Sequence, residues 1–318
     1  MKNFNFDFIK NKKIFFGISL AIILIGIVFN VIFGTQLDIQ FTGGSIVKYS
    51  YTGDVPEESL KDVIQKATDK TVSIQINTNI VLGDGSTTTN TVSVSFAGND
   101  NISLDDQNKL TTALEKSFAN NKFEQIESSS VNPSMGKTFF LKCIVAVVLA
   151  SVLMVLYVAI RFKKIGGLSA GVMALIALLH DVIMVYFTFV IFRLPLDSNF
   201  IAVVLMILGY SLNDTIIIYD RVRENRRIMG PKTGIAELVN TSINQTLGRT
   251  INTTLSTLLA IGTVLVVAMI FGLSSVVTFA LPMCIGIISG CYSTISIAGP
   301  LWVMWKEHTA KKTAVKKD

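Results

Sequence analysis

The chain has 318 residues, of which 50% are hydrophobic and only 16% charged, and its mean hydropathy is +0.55. That balance excludes an ordinary soluble globular protein. The net charge of +6 is a sum of opposite signs: residues 34 to 137 carry 8 Lys against 13 Asp or Glu, net −5, and the remainder is net +11. No basic stripe interleaved with aromatics accompanies the basic pI, so no nucleic-acid partner is expected.

Lys2, Lys10, Lys12 and Lys13 precede an uncharged apolar run from Ile14 to Phe33. This is about the 20 residues that a helix needs to cross roughly 30 Å of hydrocarbon. The run is longer than a signal-peptide core and ends without a small-x-small cleavage pattern, so it reads as an uncleaved anchor. Residues 34–137 then show soluble-domain patterning. Alternation around Ile39 to Tyr51 predicts a strand, and Pro56-Glu57-Glu58-Ser59 opens a helix to about Thr68, with Pro and acids in its first turn. Val72 to Leu82 and Thr91 to Phe96 alternate around Gly83-Asp84-Gly85-Ser86, the pattern of a hairpin. Ser103-Leu104-Asp105-Asp106 starts a second helix to about Phe118, and Phe123 to Val131 supplies a last strand. The order βαββαβ predicts an α+β ferredoxin-like domain, and about 100 residues can bury a modest core.

Further apolar runs at about 139–160, 168–192, 199–219, 251–271 and 276–303 bring the spans to six. The expected fold class is therefore a polytopic α-helical membrane protein, with six transmembrane helices and the α+β domain between the first and second. Placing the N-terminus inside puts 17 Lys and Arg in the inner segments, whereas the two short outer turns contribute only Arg193. The positive-inside rule thus predicts a cytoplasmic N-terminus (1–13), a first span (14–33), an extracytoplasmic domain (34–137), a five-helix bundle (138–303) and a basic cytoplasmic tail (304–318). The Arg221 to Arg227 cluster reads as part of that positive anchor. Cys143, Cys284 and Cys291 all fall in spans and offer no disulfide framework.

Ionisable residues inside spans are rare and cost at least about 2.5 kcal/mol each, so they are the first place to look for function. Asp214 lies six residues before Asp220, roughly 9 Å inside the inner end of the fourth span. Arg249 opens the fifth span and can reach to a similar depth. Burial favours a neutral carboxyl and a guanidinium favours an ionised one, so protonation of Asp214 would release or remake the pair. The alternative is a static ion pair that fixes helix register. Asp181, next to His180 in the third span, is a further member of a possible proton path or a structural group. Gly167 and Gly171, like Gly286 and Gly290, have the spacing of close helix packing. There is no nucleotide fingerprint, zinc spacing or nucleophile triad, so no enzyme activity, cofactor or metal is expected, and the energy must come from an ion gradient or a partner.

Leu37-Asp38-Ile39-Gln40-Phe41-Thr42-Gly43-Gly44 after the first span, Val131-Asn132-Pro133-Ser134-Met135-Gly136 before the second, and Gly209 to Asn225 are segments that resemble the SecF family of bacterial protein-export membrane subunits. The most specific is Ser211-Leu212-Asn213-Asp214-Thr215 running into Tyr219-Asp220-Arg221-Val222-Arg223-Glu224-Asn225. The resemblance covers nearly the whole chain. It implies a six-span half of the resistance-nodulation-division architecture in the bacterial cytoplasmic membrane, paired with SecD and working beside SecYEG on unfolded secretory polypeptides. It also implies proton flow through the positions of Asp214 and Arg249, the latter placed by its Gln245 to Thr250 context. Asp38, Gly43, Gly44, Pro133, Gly136, Asn213, Asp220 and Arg221 are the motif residues expected to be structural. The rival readings are an exporter of a small molecule or lipid from the same superfamily, and a passive assembly scaffold.

Overall fold

The structure, a computed structural model, describes residues 6–70, 72–78, 89–97, 102–131, 133–230, 232–271 and 273–315. The hairpin turn expected at Gly83 to Ser86 lies outside them, as do Lys2, Asn132, Lys316 and Lys317.

The first span is α1 (Lys12–Phe33). Where alternation predicts a strand from Ile39, the chain first makes a single helical turn, α2 (Ile39–Thr42). The cause is local. Asp38 caps the turn, its Oδ1 accepting the Gln40 N–H at 2.9 Å, and Gly43 ends it at φ 78°, a backbone region that only glycine enters without steric cost. The domain follows as β1 (Gly44–Thr52), α3 (Glu57–Thr68), β2 (Val72–Thr78), β3 (Thr89–Ala97), α4 (Leu104–Ser117) and β4 (Glu124–Val131).

The strands form one sheet in the order β2-β3-β1-β4, with every neighbouring pair antiparallel. In the β1/β3 register Val47 faces Val94 and Tyr49 faces Val92. All four are buried in one core with Leu60 and Ile64 of α3 and Leu110 and Leu114 of α4. The i, i+4 spacing within each helix gives it one apolar stripe toward the sheet. Ser103 starts α4 as a cap, its Oγ accepting the Asp106 N–H at 3.1 Å.

The remaining spans are α5 (Pro133–Arg161), α6 (Gly167–Ile191), α7 (Ser198–Ile228), α8 (Ile235–Ile270) and α9 (Ser274–Ser293). A π-helical turn, Thr294–Ala298, joins α9 to α10 (Gly299–Val315). Six helices are long and apolar enough to cross a membrane, the sixth running through α9 and α10, so the chain is a multi-pass membrane protein. Half or more of the apolar window is buried in α6, α7 and the sixth span, against 11% in α1, α5 and α8. The first three therefore make the inner layer.

Small residues allow that layer to close. A methyl on Gly286 would fall 2.6 Å from Ile207 Cδ1, and one on Gly290 would fall 3.0 Å from Ser211 Cβ. A methyl on Gly171 would lie 3.1 Å from the Val155 carbonyl oxygen, and one on Gly167 would run into that of Ala159. Both glycine pairs are thus helix contacts, α9 on α7 and α6 on α5. α8 begins well before the apolar run at 251. Leu238, Val239, Ser242, Ile243 and Thr246 are buried along its first half, a stripe of three- and four-residue spacing whose opposite face is polar.

Candidate functional site

Asp214 sits on the inner side of α7 and is 1% exposed. Its Oδ2 has no hydrogen-bond partner, and the same holds for two buried hydroxyls of the adjacent α8, Thr250 Oγ1 and Thr254 Oγ1. Such oxygens are uncommon in a folded interior, and each carries a desolvation cost of about 1–3 kcal/mol. Arg249 is exposed. It lines a cleft between α7 and α8 and makes no hydrogen-bonded ion pair with Oδ2. The static pair of the sequence reading is therefore open at Oδ2 in this conformation.

Asp181, on α6, is fully buried, and its surroundings are the opposite. Ser211 of α7 donates to Oδ2 at 2.7 Å and Ser293 of α9 does the same at 2.7 Å, while Ser289 of α9 donates to Oδ1 at 2.6 Å. His180 Nδ1 lies 3.3 Å from Oδ1, as donor or acceptor according to the imidazole tautomer. Sequence reasoning missed this serine set. The available signal was the i, i+4 pair Ser289 and Ser293 in an otherwise apolar helix, with Ser211 one turn before Asp214.

The motif residues after Asp214 form a polar seam where the C-terminal ends of α5 and α7 meet the N-terminal part of α8. Asp220 pairs with Arg161 at 3.2 Å and with Arg223 at 2.7 Å. Arg221 pairs with Glu224 at 2.6 Å and donates to Gln245 Oε1 at 2.6 Å. Asn225 Nδ2 donates to Ser242 Oγ at 2.9 Å and to Gln245 Oε1 at 2.7 Å. A cleft of about 520 Å³ runs between α7 and α8 from Glu224 and Gln245 to Ile217 and Arg249. Asn213, one residue before Asp214, points away from the bundle and is exposed.

The two other motif segments meet at the opposite end. Gly136 packs on α2 so closely that a methyl there would lie 2.9 Å from the Gly43 nitrogen and 3.0 Å from the Phe41 carbonyl oxygen. Phe41 stacks on Phe139 at 5.8 Å and meets Phe140 edge-on at 5.3 Å. Pro133 opens α5, where a missing N–H is tolerated, and Gly44 leads into β1 at φ 134°. Leu37 bridges Leu196 of the α6–α7 connection, through Asp38 N–H to Leu196 O at 3.0 Å and Leu196 N–H to Gln36 O at 2.8 Å. Burial pushes the Asp38 carboxyl above its ordinary pKa, partly offset by the Gln40 N–H. The motif thus links α1, the domain, α5 and the α6–α7 connection.

Residues 110–308 match the family described as "Protein export membrane protein SecD/SecF, C-terminal". A protein translocase subunit SecF of Alicyclobacillus acidocaldarius is 33% identical over 309 residues, which is 96% of this chain and 95% of that one. The SecDF of Bacillus subtilis is 31% identical across 96% of this chain, which spans 39% of that longer protein. Among solved structures, that of SecDF, a translocon-associated membrane protein from Thermus thermophilus, has a TM-score of 0.77 at 29% identity, covering 95% of this chain and 39% of that one. A likeness that runs the length of the chain, and takes in both the Asp214 turn and the helices that bury it, makes this protein a member of the SecD/SecF family of protein export membrane proteins.

Proposed function

We propose that this chain is the SecF-type subunit of a protein-export complex in the bacterial cytoplasmic membrane. It works with a SecD-type partner and the SecYEG channel, and it uses the proton-motive force to complete the translocation of unfolded secretory polypeptides. The observation that carries the reading is Asp214, a buried carboxyl with an orphaned oxygen on the helix that, with α8, forms the cleft lined by Arg249. Protonation of Asp214 switches its attraction to that guanidinium, and the 520 Å³ cleft ending at Arg249 supplies a route from the inner surface. Each proton crossing about 100 mV releases about 2.3 kcal/mol, enough to bias a domain between two orientations and small beside the cost of dragging a folded protein.

The domain between the first two spans is read as ferredoxin-like and extracytoplasmic. The order βαββαβ and the antiparallel sheet order support the fold, and the positive inner segments support the orientation, with both termini in the cytoplasm. The motif contacts of Gly43 and Gly136 are what transmit movement between bundle and domain. The SecD-type half covers the exposed polar stripe of Asn213 on α7 and Asn252, Thr253 and Ser256 on α8, because polar groups at membrane depth face a bundle interior or a cavity. SecDF relatives of which this chain spans 39% carry additional sequence in the same chain.

The test is export into inverted vesicles after ATP-driven insertion of a preprotein. Asp214→Asn, with normal membrane level and partner binding, is expected to lose gradient-dependent completion at least about tenfold, equivalent to about 1.4 kcal/mol. Full completion by Asp214→Asn would overturn the reading. Imposing a proton and a sodium gradient separately assigns the coupling ion.

A further inference from the structure

We propose that Asp181 is a positioning residue for Asp214: an acceptor at the junction of α6, α7 and α9 that fixes the α7 turn on which Asp214 is carried. The proposal rests on the coupling role of Asp214 given above and adds a residue that acts on it through Ser211.

Asp181 makes no contact in which it must donate. Three serine hydroxyls at 2.6–2.7 Å and His180 Nδ1 at 3.3 Å surround the two oxygens, two contacts to each. A carboxylate accepts all four at once, whereas a carboxylic acid would have to turn one of them round, the Ser293 hydroxyl to the Gly290 carbonyl oxygen at 3.2 Å or the imidazole to its other tautomer. The four contacts together favour an acceptor that holds α6, α7 and α9 in place. Asp214 has an oxygen with no donor to lose.

The link between the two carboxyls is one turn of α7. Ser211 gives its hydroxyl to Asp181, and its carbonyl oxygen accepts from Thr215 Oγ1 at 3.2 Å and from Thr294 Oγ1 at 3.3 Å. The two threonine hydroxyls also lie 3.1 Å apart. Residues 211 to 215 are therefore held at both ends, from α6 by Asp181 and from the π-helical turn by Thr294, with Asp214 between. Gly290 lets α9 approach this turn, since a methyl there would sit 3.2 Å from Ser211 Oγ. The other ionisable groups in the spans packed on this junction include Tyr186 of α6, Tyr210, Tyr219 and Asp220 of α7, Arg249 of α8 and Cys284, Cys291 and Tyr292 of α9. None of these is hydrogen-bonded to Asp181, whose side-chain partners among the described residues are the three serines and His180.

The experiment is infrared difference spectroscopy of the purified SecD–SecF-type complex in lipid nanodiscs across a pH series, reading the protonated-carboxyl C=O band, with gradient-driven export measured on the same variants. Asp214→Asn is expected to remove the titrating band. Asp181→Asn is expected to keep it and move its midpoint, and that of the export profile, by about one pH unit, a tenfold change in proton concentration. Ser289→Ala and Ser293→Ala, each removing one donor while keeping the helix contacts, are expected to move it in the same sense by less. They carry the test if Asp181→Asn does not assemble. Loss of a separate band in Asp181→Asn would make Asp181 a proton carrier and overturn the proposal, as would unchanged midpoints in Asp181→Asn and both serine variants. A spectrum unaltered by Asp214→Asn would instead remove the coupling role of Asp214 itself, so the two failures are told apart.

Discussion

Asp197 shows how a single carboxyl is pulled in two directions at the junction of domain and bundle. Burial pushes its pKa up, the N–H groups of Phe200 and Asn199 pull it down, and the nearby Asp38 adds to the rise, with the net shift upward. A carboxyl whose pKa is higher in the folded protein contributes stability below its unfolded value and loses that contribution as pH rises through the folded value. At neutral pH the ionised Asp197 therefore works against folding, while its oxygen still caps α7 by accepting from Asn199 N at 2.9 Å. Asparagine caps about as well as aspartate. Asp197→Asn is expected to keep or raise the melting temperature in detergent at neutral pH and to flatten its fall from acidic to neutral pH. A lower melting temperature would show that the charge itself holds the junction. Asp214 was legible in the sequence because a carboxyl in an apolar helix has no camouflage. Ser211, Ser289 and Ser293 were not, because single serines are common in membrane helices and their convergence on Asp181 exists only once three helices are packed.

The contact of α9 with α7 depends on the missing side chains of Gly286 and Gly290. Gly286→Ala would place a methyl 2.6 Å from Ile207 Cδ1 and is expected to destabilise the bundle by about 1–3 kcal/mol, read as a lower thermal midpoint. Gly17→Ala on α1, with nothing within 4 Å, is the control and is expected to be neutral or slightly stabilising, by up to about 1 kcal/mol. Equal loss in both would deny the close approach. All six spans were readable from hydropathy because length and apolarity are enough to call a helix in lipid. Two elements were not. α2 hides in an alternating sequence, since its formation is decided by the Asp38 cap and the Gly43 stop and not by periodicity. The first half of α8 has a polar face, so a search for apolar runs starts it too late.

The buried spans α6, α7 and α9–α10 are flanked by α1, α5 and α8, whose apolar windows are only 11% buried. In α8 the exposed side includes Asn252, Thr253 and Ser256. Hydrocarbon is a poor neighbour for that stripe, and a second membrane subunit is a good one. With Cys143, Cys284 and Cys291 replaced by Ala, Ser256→Cys is expected to form oxidative cross-links to cysteines placed in the SecD-type partner, whereas Leu153→Cys, exposed on α5, is not. Cross-linking from position 153 alone would place the partner on the other side of the bundle.

The π-helical turn Thr294–Ala298 interrupts the sixth span between these two environments. Such a turn takes up one residue more than an α-helical one, so every side chain beyond it is rotated by about 100° from where an unbroken helix would set it. Before the turn, Ser289 and Ser293 are aimed at Asp181. After it, Trp302 lies 5.4 Å from the Tyr219 ring and its Nε1–H reaches Ser169 Oγ at 3.1 Å. The sixth span is thus a shaft with two cams, one set against Asp181 and one against Tyr219 and Ser169, and a single odd residue sets the angle between them.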